Sequence, residues 1–393
     1  MKNADVIIIG GGHVGTSLAL ALRDKADVIL IDSLAPADRA HPKQDNRIFA
    51  LAEGTKRVLE TLGVWGFLSK TVAPIAHIHV SNKGSFGASR LHASDFSLPA
   101  MGYMCASADL QWSLQQAAVG IDHRYPATCV AINPTAGTVT LNTGELLSAN
   151  MIIATDGQSS TVRQQLGIAT HHKDYAQSAI VARVELTVPH HDTAYERFVD
   201  DGAIALLPYG PQACALIWSL PSAQGRNFMA MDDTHFIQIL QQAFGYRLGT
   251  FRALSQRYCY PLVHTQAQRI HQGTVVLLGN AAQTLHPIAA QGFNLALRQV
   301  ALFADLYAAN PSASMIQAYA ARQAQDTQHT RLFTEGLVRF FSDEGVGRFR
   351  VVRGGLLTAF DLCPPAKRYL LKGVMKDGAL GKNACNTPEN SLK

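Results

Sequence analysis

The first fifteen residues constrain the architecture more than any other stretch. Val6-Ile7-Ile8-Ile9 is a short apolar run, and Gly10-Gly11-Gly12-His13-Val14-Gly15 follows it without a spacer. Such a run reads as a strand buried on both faces, of the kind found in a parallel sheet covered by helices. The G-x-G-x-x-G spacing gives each glycine a task. Gly10 makes the tight turn, Gly12 lets the backbone approach a pyrophosphate, and Gly15 lets a helix running to about Arg23 lie close on the strand. Asp27-Val28-Ile29-Leu30-Ile31-Asp32 is a second apolar strand, and Asp32 falls about twenty residues beyond the glycines, where an acid accepts hydrogen bonds from a ribose. A lone glycine fingerprint is weak. Strand, glycines, helix, strand and acid in this order predict a dinucleotide-binding α/β unit.

Two later stretches repeat the strand-to-helix theme. Val275-Val276-Leu277-Leu278 runs into Gly279-Asn280, then a loop holding His286-Pro287 and Gln291-Gly292, then a helix with apolar Phe293, Leu297, Val300, Ala301 and Ala304. Midway, Met151 to Ala154 reads as a strand ending in Thr155-Asp156-Gly157, and Ser160-Thr161-Val162-Arg163 begins a helix. A helix N-terminus facing a strand end suits an anionic ligand, because unpaired N–H groups and the positive dipole end point there.

At 393 residues the chain suggests two or more domains. No apolar run approaches the ~18–20 residues that span a bilayer, and the first strand, beginning at Asp5, leaves no room for a leader, so a cytoplasmic location is expected. Six scattered cysteines without a C-x-x-C pair read as reduced, mostly buried thiols. Fifteen histidines include His77 and His79 on a strand and the adjacent pairs His171-His172 and His190-His191, none with metal-ligand spacing, so no metal is expected. Charge gathers at the end: residues 345–393 carry nine Lys or Arg against three acids, with Leu356, Leu357, Phe360, Leu370, Leu371 and Val374 among them. Such a segment reads either as a solvated helix or as a peripheral contact with the inner membrane face. The rest of the chain has no basic stripe for nucleic acid.

Along the chain, Arg47 is read as opening a helical region and as either a surface arginine or a cofactor contact. Helices follow at Lys56 to Leu62 and Trp65 to Ser69, broken by Gly63, then a strand at Ile75 to Asn82 and a shorter one at Arg90 to His92. Ser107 is the expected N-cap of a helix to about Val119. Residues 178–260 are strand-rich, with one helix near Thr234 to Phe244, and a last long helix runs from about Ser314 towards Phe341. This β block suggests a second domain over the first, with Phe198, Leu206, Pro208, Trp218 and Pro261 as candidate substrate-pocket lining.

The order of the motifs, from the N-terminal glycines through Ala154-Thr155-Asp156-Gly157 to Gly279-Asn280 and Gln291-Gly292, resembles the single-component FAD aromatic hydroxylases of the p-hydroxybenzoate hydroxylase fold. Asp45-Asn46-Arg47-Ile48-Phe49-Ala50-Leu51, Glu196-Arg197-Phe198, Tyr260-Pro261-Leu262 and Gly279 to Pro287 look like the ubiquinone-biosynthesis hydroxylases within it. The resemblance covers the chain to about Phe341. It implies an α/β fold: a Rossmann-like FAD-binding domain from residues 1–74, 106–177 and 269–343, an interleaved β-rich substrate domain from 75–105 and 178–268, and a basic C-terminal helical segment, 344–393.

By the same resemblance, Gly10, Gly12, Gly15 and Asp32 hold the ADP half of FAD, Arg47 lies beside the cofactor, and Asp156-Gly157 sits at a joint used for FAD and NAD(P)H. Gly279 and Asn280 face the ribityl chain, with Asn280 where relatives usually have aspartate and Gln283 where many have histidine. Pro287, Gln291, Gly292, Phe293 and Asn294 form the flavin loop and helix start, Ala290 replacing the first glycine of a Gly-Gln-Gly turn. The implied chemistry is reduction of FAD by NAD(P)H, addition of dioxygen to give a flavin hydroperoxide, and attack on an electron-rich phenol, with no protein acid or base assigned. The implied substrate is a polyprenylated phenol, 2-polyprenyl-6-methoxyphenol in the branch that Gln283 fits, and the implied partners are other ubiquinone-biosynthesis proteins. A different ring position or aromatic, a non-catalytic flavin-binding subunit, and an NAD-dependent dehydrogenase sharing only the first fingerprint are the alternatives.

Overall fold

The computed structural model of the chain describes residues 2–35, 47–200, 202–285, 291–341 and 348–368. Its first sheet grows from the apolar runs. β1 (Lys2–Ile9) pairs in parallel with β2 (Val28–Ile31) on one side and β11 (Leu146–Ala154) on the other; β2 continues to β8 (Asp122–Arg124) and β11 to β19 (Val275–Leu277). β18 (His271–Gln272) closes one edge, and a meander of β9 (Cys129–Asn133) and β10 (Thr138–Leu141) joins antiparallel to β11. Val6 to Ile9 and Val28 to Ile31 are buried throughout, as parallel strands covered on both faces must be. On one face lie α1 (His13–Leu22), α2 (Glu53–Thr61), α3 (Trp65–Leu68), α4 (Ser107–Ala117), α8 (Gln291–Ala309) and α9 (Ala313–Phe341); on the other lie the meander and α5 (Thr161–Gln165). A polar seam joins α8 to α9: Arg298 to Asp326 at 2.9 Å and to the Thr330 hydroxyl at 3.0 Å.

The second sheet has the order β20 (Gln283–Thr284), β17 (Tyr258–Ala267), β12 (Thr170–Leu186), β15 (Ala213–Pro221), β14 (Gly202–Pro208), β13 (Thr193–Val199), β5 (His77–Asn82), β6 (Ala88–His92), with β16 (Phe251–Leu254) beside β12. Its outer face is covered by α6 (Ser222–Ala230) and α7 (Asp233–Phe244). Its inner face meets a three-stranded sheet of β3 (Ile48–Ala52), β7 (Gly102–Ala106) and β4 (Ala73–Ile75) through Ile75, Met104, Ala194 and Ala215. The domain boundaries expected at 74/75 and 105/106 fall inside β4 and β7.

The described part of the tail, α10 (Arg348–Asp361), lies against β5 and β6. Asp361 accepts the Arg90 backbone N–H at 2.7 Å, and Lys367 bonds both Asp361 (2.7 Å) and the Arg90 carbonyl (2.8 Å). Gly87 and Gly354 let the two backbones touch, since a Cβ on Gly87 would stand 2.3 Å from the Gly354 oxygen.

Several local expectations change. Arg47 leads into a strand, not a helix, because Ile48 to Ala52 pairs antiparallel with Gly102 to Ala106 and the helix starts at Glu53. Ser107 is the first helical residue and not the cap; Ala106 holds the cap position, while the Ser107 hydroxyl turns to His13. Ile75 to Asn82 splits into β4 and β5, which belong to different sheets. The helix α6 and the short strand β8 add to the elements expected.

Candidate functional site

The parallel register aligns the strand ends. Ile9 pairs with Ile31 and Ala154, and Ala154 pairs with Leu277, so the joints after all four strands stand side by side at the carboxyl edge of the sheet. Open α/β sheets bind ligands at this edge.

Each glycine here has a distinct reason to be glycine. Gly10 has φ +108°, and a Cβ on it would lie 2.7 Å from the Thr155 carbonyl, so the first joint is pressed against the third strand's joint. A Cβ on Gly15 would stand 1.8 Å from the Gly10 oxygen, which is the close helix-to-strand packing expected. Gly12 is different: its φ is −72°, and a Cβ would meet nothing within 4 Å. The fold therefore leaves open space beside Gly12, at the start of a helix with no side-chain cap. That is a cradle for an anionic group that donors of the first turn can hold. Gly11 was not singled out from the sequence, yet a Cβ there would press to 2.6 Å from Asp32 Oδ2, so this glycine keeps Asp32 close to the loop. The other Asp32 oxygen accepts the Leu34 N–H at 3.1 Å.

Thr155 locks the joints together, its hydroxyl donating to the Gly10 carbonyl at 2.8 Å. Asp156 Oδ2 accepts from the Val162 N–H (3.1 Å) and the Thr161 hydroxyl (3.3 Å), whereas Oδ1 is buried with no partner among the described residues. This unpartnered carboxylate oxygen, beside a glycine at φ +88° (Gly157), could accept a hydrogen bond from a ligand. The buried Arg163 guanidinium bridges the carbonyls of Gln158 and Ala281, both at 2.8 Å, and so ties the Asp156 joint to the Gly279 joint. Gly279 (φ +63°) packs against Val14 of α1, and Asn280 is exposed beside it.

At the start of α8, Gln291 is buried and Gly292 opens to free space. Phe293 stacks with Phe49 (5.0 Å between centroids) and sits 6.0 Å from His13, whose Nε2 lies 3.0 Å from the Ser107 carbonyl oxygen. The Arg47 guanidinium stands 5.8 Å from the Phe49 ring, so Arg47 joins this group although the segment before it, with Asp45 and Asn46, lies outside the described residues. Pro287 and Ala290 also lie outside them. Asn294 does not present a free side chain. Its oxygen accepts the Ala52 N–H (2.9 Å) and the Thr55 hydroxyl (2.7 Å), and its amide donates to the Ala50 carbonyl (2.9 Å), clamping α8 to the β3–α2 joint.

The five pocket candidates separate by strand alternation. Leu206 and Trp218 lie in the core under α6 and α7, Trp218 5.0 Å from Phe228, and Pro208 shares that outer face with its partner Cys214. They do not line the inner side; their alternates Ala205, Leu207, Ala215 and Ile217 do. Phe198 is buried on the inner face, and Pro261 is exposed on β17. Between the inner face and the three-stranded sheet lies a cavity of about 210 Å3 lined by Thr71, Ala73, Met104, Asp109, Arg183 and Tyr209. Burial pushes the Cys105 thiol well up and the Cys129 thiol to about 11, so neither is a nucleophile at neutral pH.

A parallel sheet presenting a glycine cradle at its carboxyl edge, beside a chamber roofed by an antiparallel sheet, is the architecture of the flavin monooxygenases. The chain belongs to the FAD binding domain family, whose model matches residues 3–326. It is 32% identical to the ubiquinone hydroxylase UbiL of Rhodospirillum rubrum, over 97% of this chain and 91% of that one. It is 30% identical to the 3-demethoxyubiquinol 3-hydroxylase of Escherichia coli, over 77% of this chain and 79% of that one. Among solved structures, p-nitrophenol 4-monooxygenase PnpA of Pseudomonas putida superposes with a TM-score of 0.79 at 15% identity, covering 95% of this chain and 99% of that one. PqsL of Pseudomonas aeruginosa does so at 0.75 and 21%, covering 91% and 100%; at such identities the likeness concerns the fold alone. As a family member the chain is an FAD-dependent aromatic hydroxylase.

Proposed function

We propose that this protein hydroxylates the ring of a polyprenylated phenol in ubiquinone biosynthesis, 2-polyprenyl-6-methoxyphenol being the substrate we favour, with NAD(P)H as reductant and dioxygen as oxidant. The observation that carries this is the alignment of the glycine cradle, the Asp156 joint and the Gly279 joint beside a roofed chamber, in a chain whose relatives are named ubiquinone hydroxylases. In this reading Gly10, Gly12 and Asp32 take the ADP half of FAD, with Gly15 seating the helix behind them. Asp156, Gly157, Gly279 and Asn280 take the linker between its halves, and Arg47 closes over it. The N–H groups of Gln291, Gly292 and Phe293 face the pyrimidine end, where the α8 dipole favours negative charge. Asn294 serves by holding that helix start in place.

When bound, FAD supplies the two-electron chemistry that couples NAD(P)H oxidation to insertion of one oxygen atom into the ring. The chain's part is to bind, orient and keep water out: the inner face offers Ala205, Leu207 and Ile217 as an apolar roof for the ring. Among the described residues no helix is long and apolar enough to cross a membrane. We assign contact with the inner membrane face, and with other proteins of the pathway, to the basic tail; its residues 369–393 lie outside the described residues.

The test is mass spectrometry of quinone-pathway lipids in cells lacking the protein. Build-up of a polyprenyl-methoxyphenol, relieved by the wild-type chain but not by Gly12→Val, is expected. A different ring position is a second reading, favoured by the relative named 3-demethoxyubiquinol 3-hydroxylase; it predicts build-up of a more oxidised, demethoxy intermediate. A normal quinone profile with no redundant hydroxylase present would sink both.

A further inference from the structure

Among the described residues, the sheet's inner face carries a carboxylate with no hydrogen-bond or ion-pair partner, that of Glu196. On β13, Tyr195, Arg197 and Val199 turn to the helix-covered side, Tyr195 and Val199 packing on its core and Arg197 bonding the Ala243 carbonyl of α7. Alternation places Ala194, Glu196 and Phe198 on the inner side. The register sets Glu196 in a row across four other strands: Val80 on β5, Ala205 on β14, Ile217 on β15 and Val181 on β12. The next row, Ile78, Ala194, Leu207, Ala215 and Arg183, is packed against the three-stranded sheet at one end and reaches the cavity wall at Arg183. The Glu196 row lies just beyond that packing. These four neighbours are apolar, the row ending in Ser89 on β6 and Tyr258 on β17, and Ala205 and the flanking Ala194 are small enough to leave room above the carboxyl group.

Building on the hydroxylase reading, we propose that Glu196 accepts the proton of the substrate's ring hydroxyl and so supplies the polar group that an electron-rich ring requires. The ring O–H bond breaks, its proton passes to a Glu196 carboxylate oxygen, and the electron pair stays on the ring oxygen, raising electron density at the carbons ortho and para to it. The proton returns to solvent when product leaves. The Glu196 side chain is only partly covered and accepts no hydrogen bond from a described residue, so its carboxyl group is open to a ligand's O–H. Burial, with no neighbouring charge contributing, pushes its pKa up to about 7, which brings its proton affinity nearer to that of a phenol. Among the described residues its immediate neighbours do not titrate: β5 and β14 offer Val80 and Ala205, its own strand Ala194 and Phe198, and α10 brings Phe360 to this side. Arg183 is three strands away.

The test uses FAD-loaded protein and 2-prenyl-6-methoxyphenol as the probe. The rate of product formation is measured across pH together with the hydrogen peroxide released. Wild-type hydroxylation is expected to fall as pH drops through about 7, where Glu196 takes up a solvent proton. Glu196→Gln should keep its flavin and bind the probe, with hydroxylation slower by roughly 10²-fold, the acid limb of the profile lost and more peroxide released. Glu196→Asp should restore part of the rate. Should Glu196→Gln form product at the wild-type rate with the same pH profile, this proposal fails alone. Should the flavin-loaded wild type bind no phenol, the substrate class fails with it.

Discussion

Gly12 and Gly15 are three residues apart, yet they should fail in opposite ways. Valine at Gly12 meets no protein atom within 4 Å and sits at φ −72°, which any residue adopts. Its folding cost is limited to exchanging a tolerated N-cap glycine for a poor one, about 1 kcal/mol. Valine at Gly15 places Cβ 1.8 Å from a backbone oxygen. Ordinary contact begins at 3.4 Å, so helix α1 must retreat from β1 by about 1.6 Å within a buried core, costing upwards of about 3 kcal/mol. The assay is flavin absorbance per mole of purified protein, with a denaturant midpoint for each variant. We expect Gly12→Val to be soluble, nearly as stable as flavin-free wild type, and colourless; Gly15→Val should be poorly folded. Full flavin content in Gly12→Val would refute the cradle, and a wild-type midpoint for Gly15→Val would refute the packing argument.

Removing the clamp with Asn294→Ala leaves the Ala52 N–H and Thr55 hydroxyl unsatisfied, and a loss of about 2–3 kcal/mol is expected in denaturant titration, together with weaker flavin retention. Arg163→Met should loosen flavin binding in dialysis while far-ultraviolet circular dichroism stays unchanged, since it cuts the tie between the Gln158 and Ala281 carbonyls. His79 is held neutral by burial and by nearby Arg247 and Arg90, its pKa lowered from 6.5 to about 4. The unfolded chain therefore takes up this proton first, so the contribution of His79 to stability is complete above about pH 6.5 and is lost as pH falls towards 4. Thermal unfolding of His79→Phe should lose that part of the acid sensitivity; an unchanged pH profile would count against it.

The parallel sheet was legible because Val6 to Ile9, Val28 to Ile31 and Val275 to Leu277 are short all-apolar runs that end at glycine or acid, and burial on both faces permits little else. The antiparallel sheet was legible as strands but not as faces. Ala203 to Pro208 and Ala213 to Leu220 are apolar on both sides, so period-two reading could not tell the face under α6 and α7 from the face over the chamber, and Leu206 and Trp218 fell on the wrong one. The Asn294 clamp and the Arg163 bridge join residues over a hundred positions apart, and no local pattern announces such pairs. At Arg47 to Leu51 local propensity was overruled by pairing with β7. Gly11 was hidden inside a motif that asks only for its neighbours.

The docking of α10 bears on what can pair with β6. β6 ends its sheet, and a terminal strand offers unpaired N–H and carbonyl groups onto which another chain can add. Here Asp361 occupies the Arg90 N–H, Lys367 occupies the Arg90 carbonyl, and the contact of Gly87 with Gly354 leaves no width for an intruding strand. The C-terminal helix is thus a stopper on the open rim of the substrate sheet. A chain cut before Arg348 keeps every glycine of the cradle and should still be yellow, but light scattering should show it self-associating through β6.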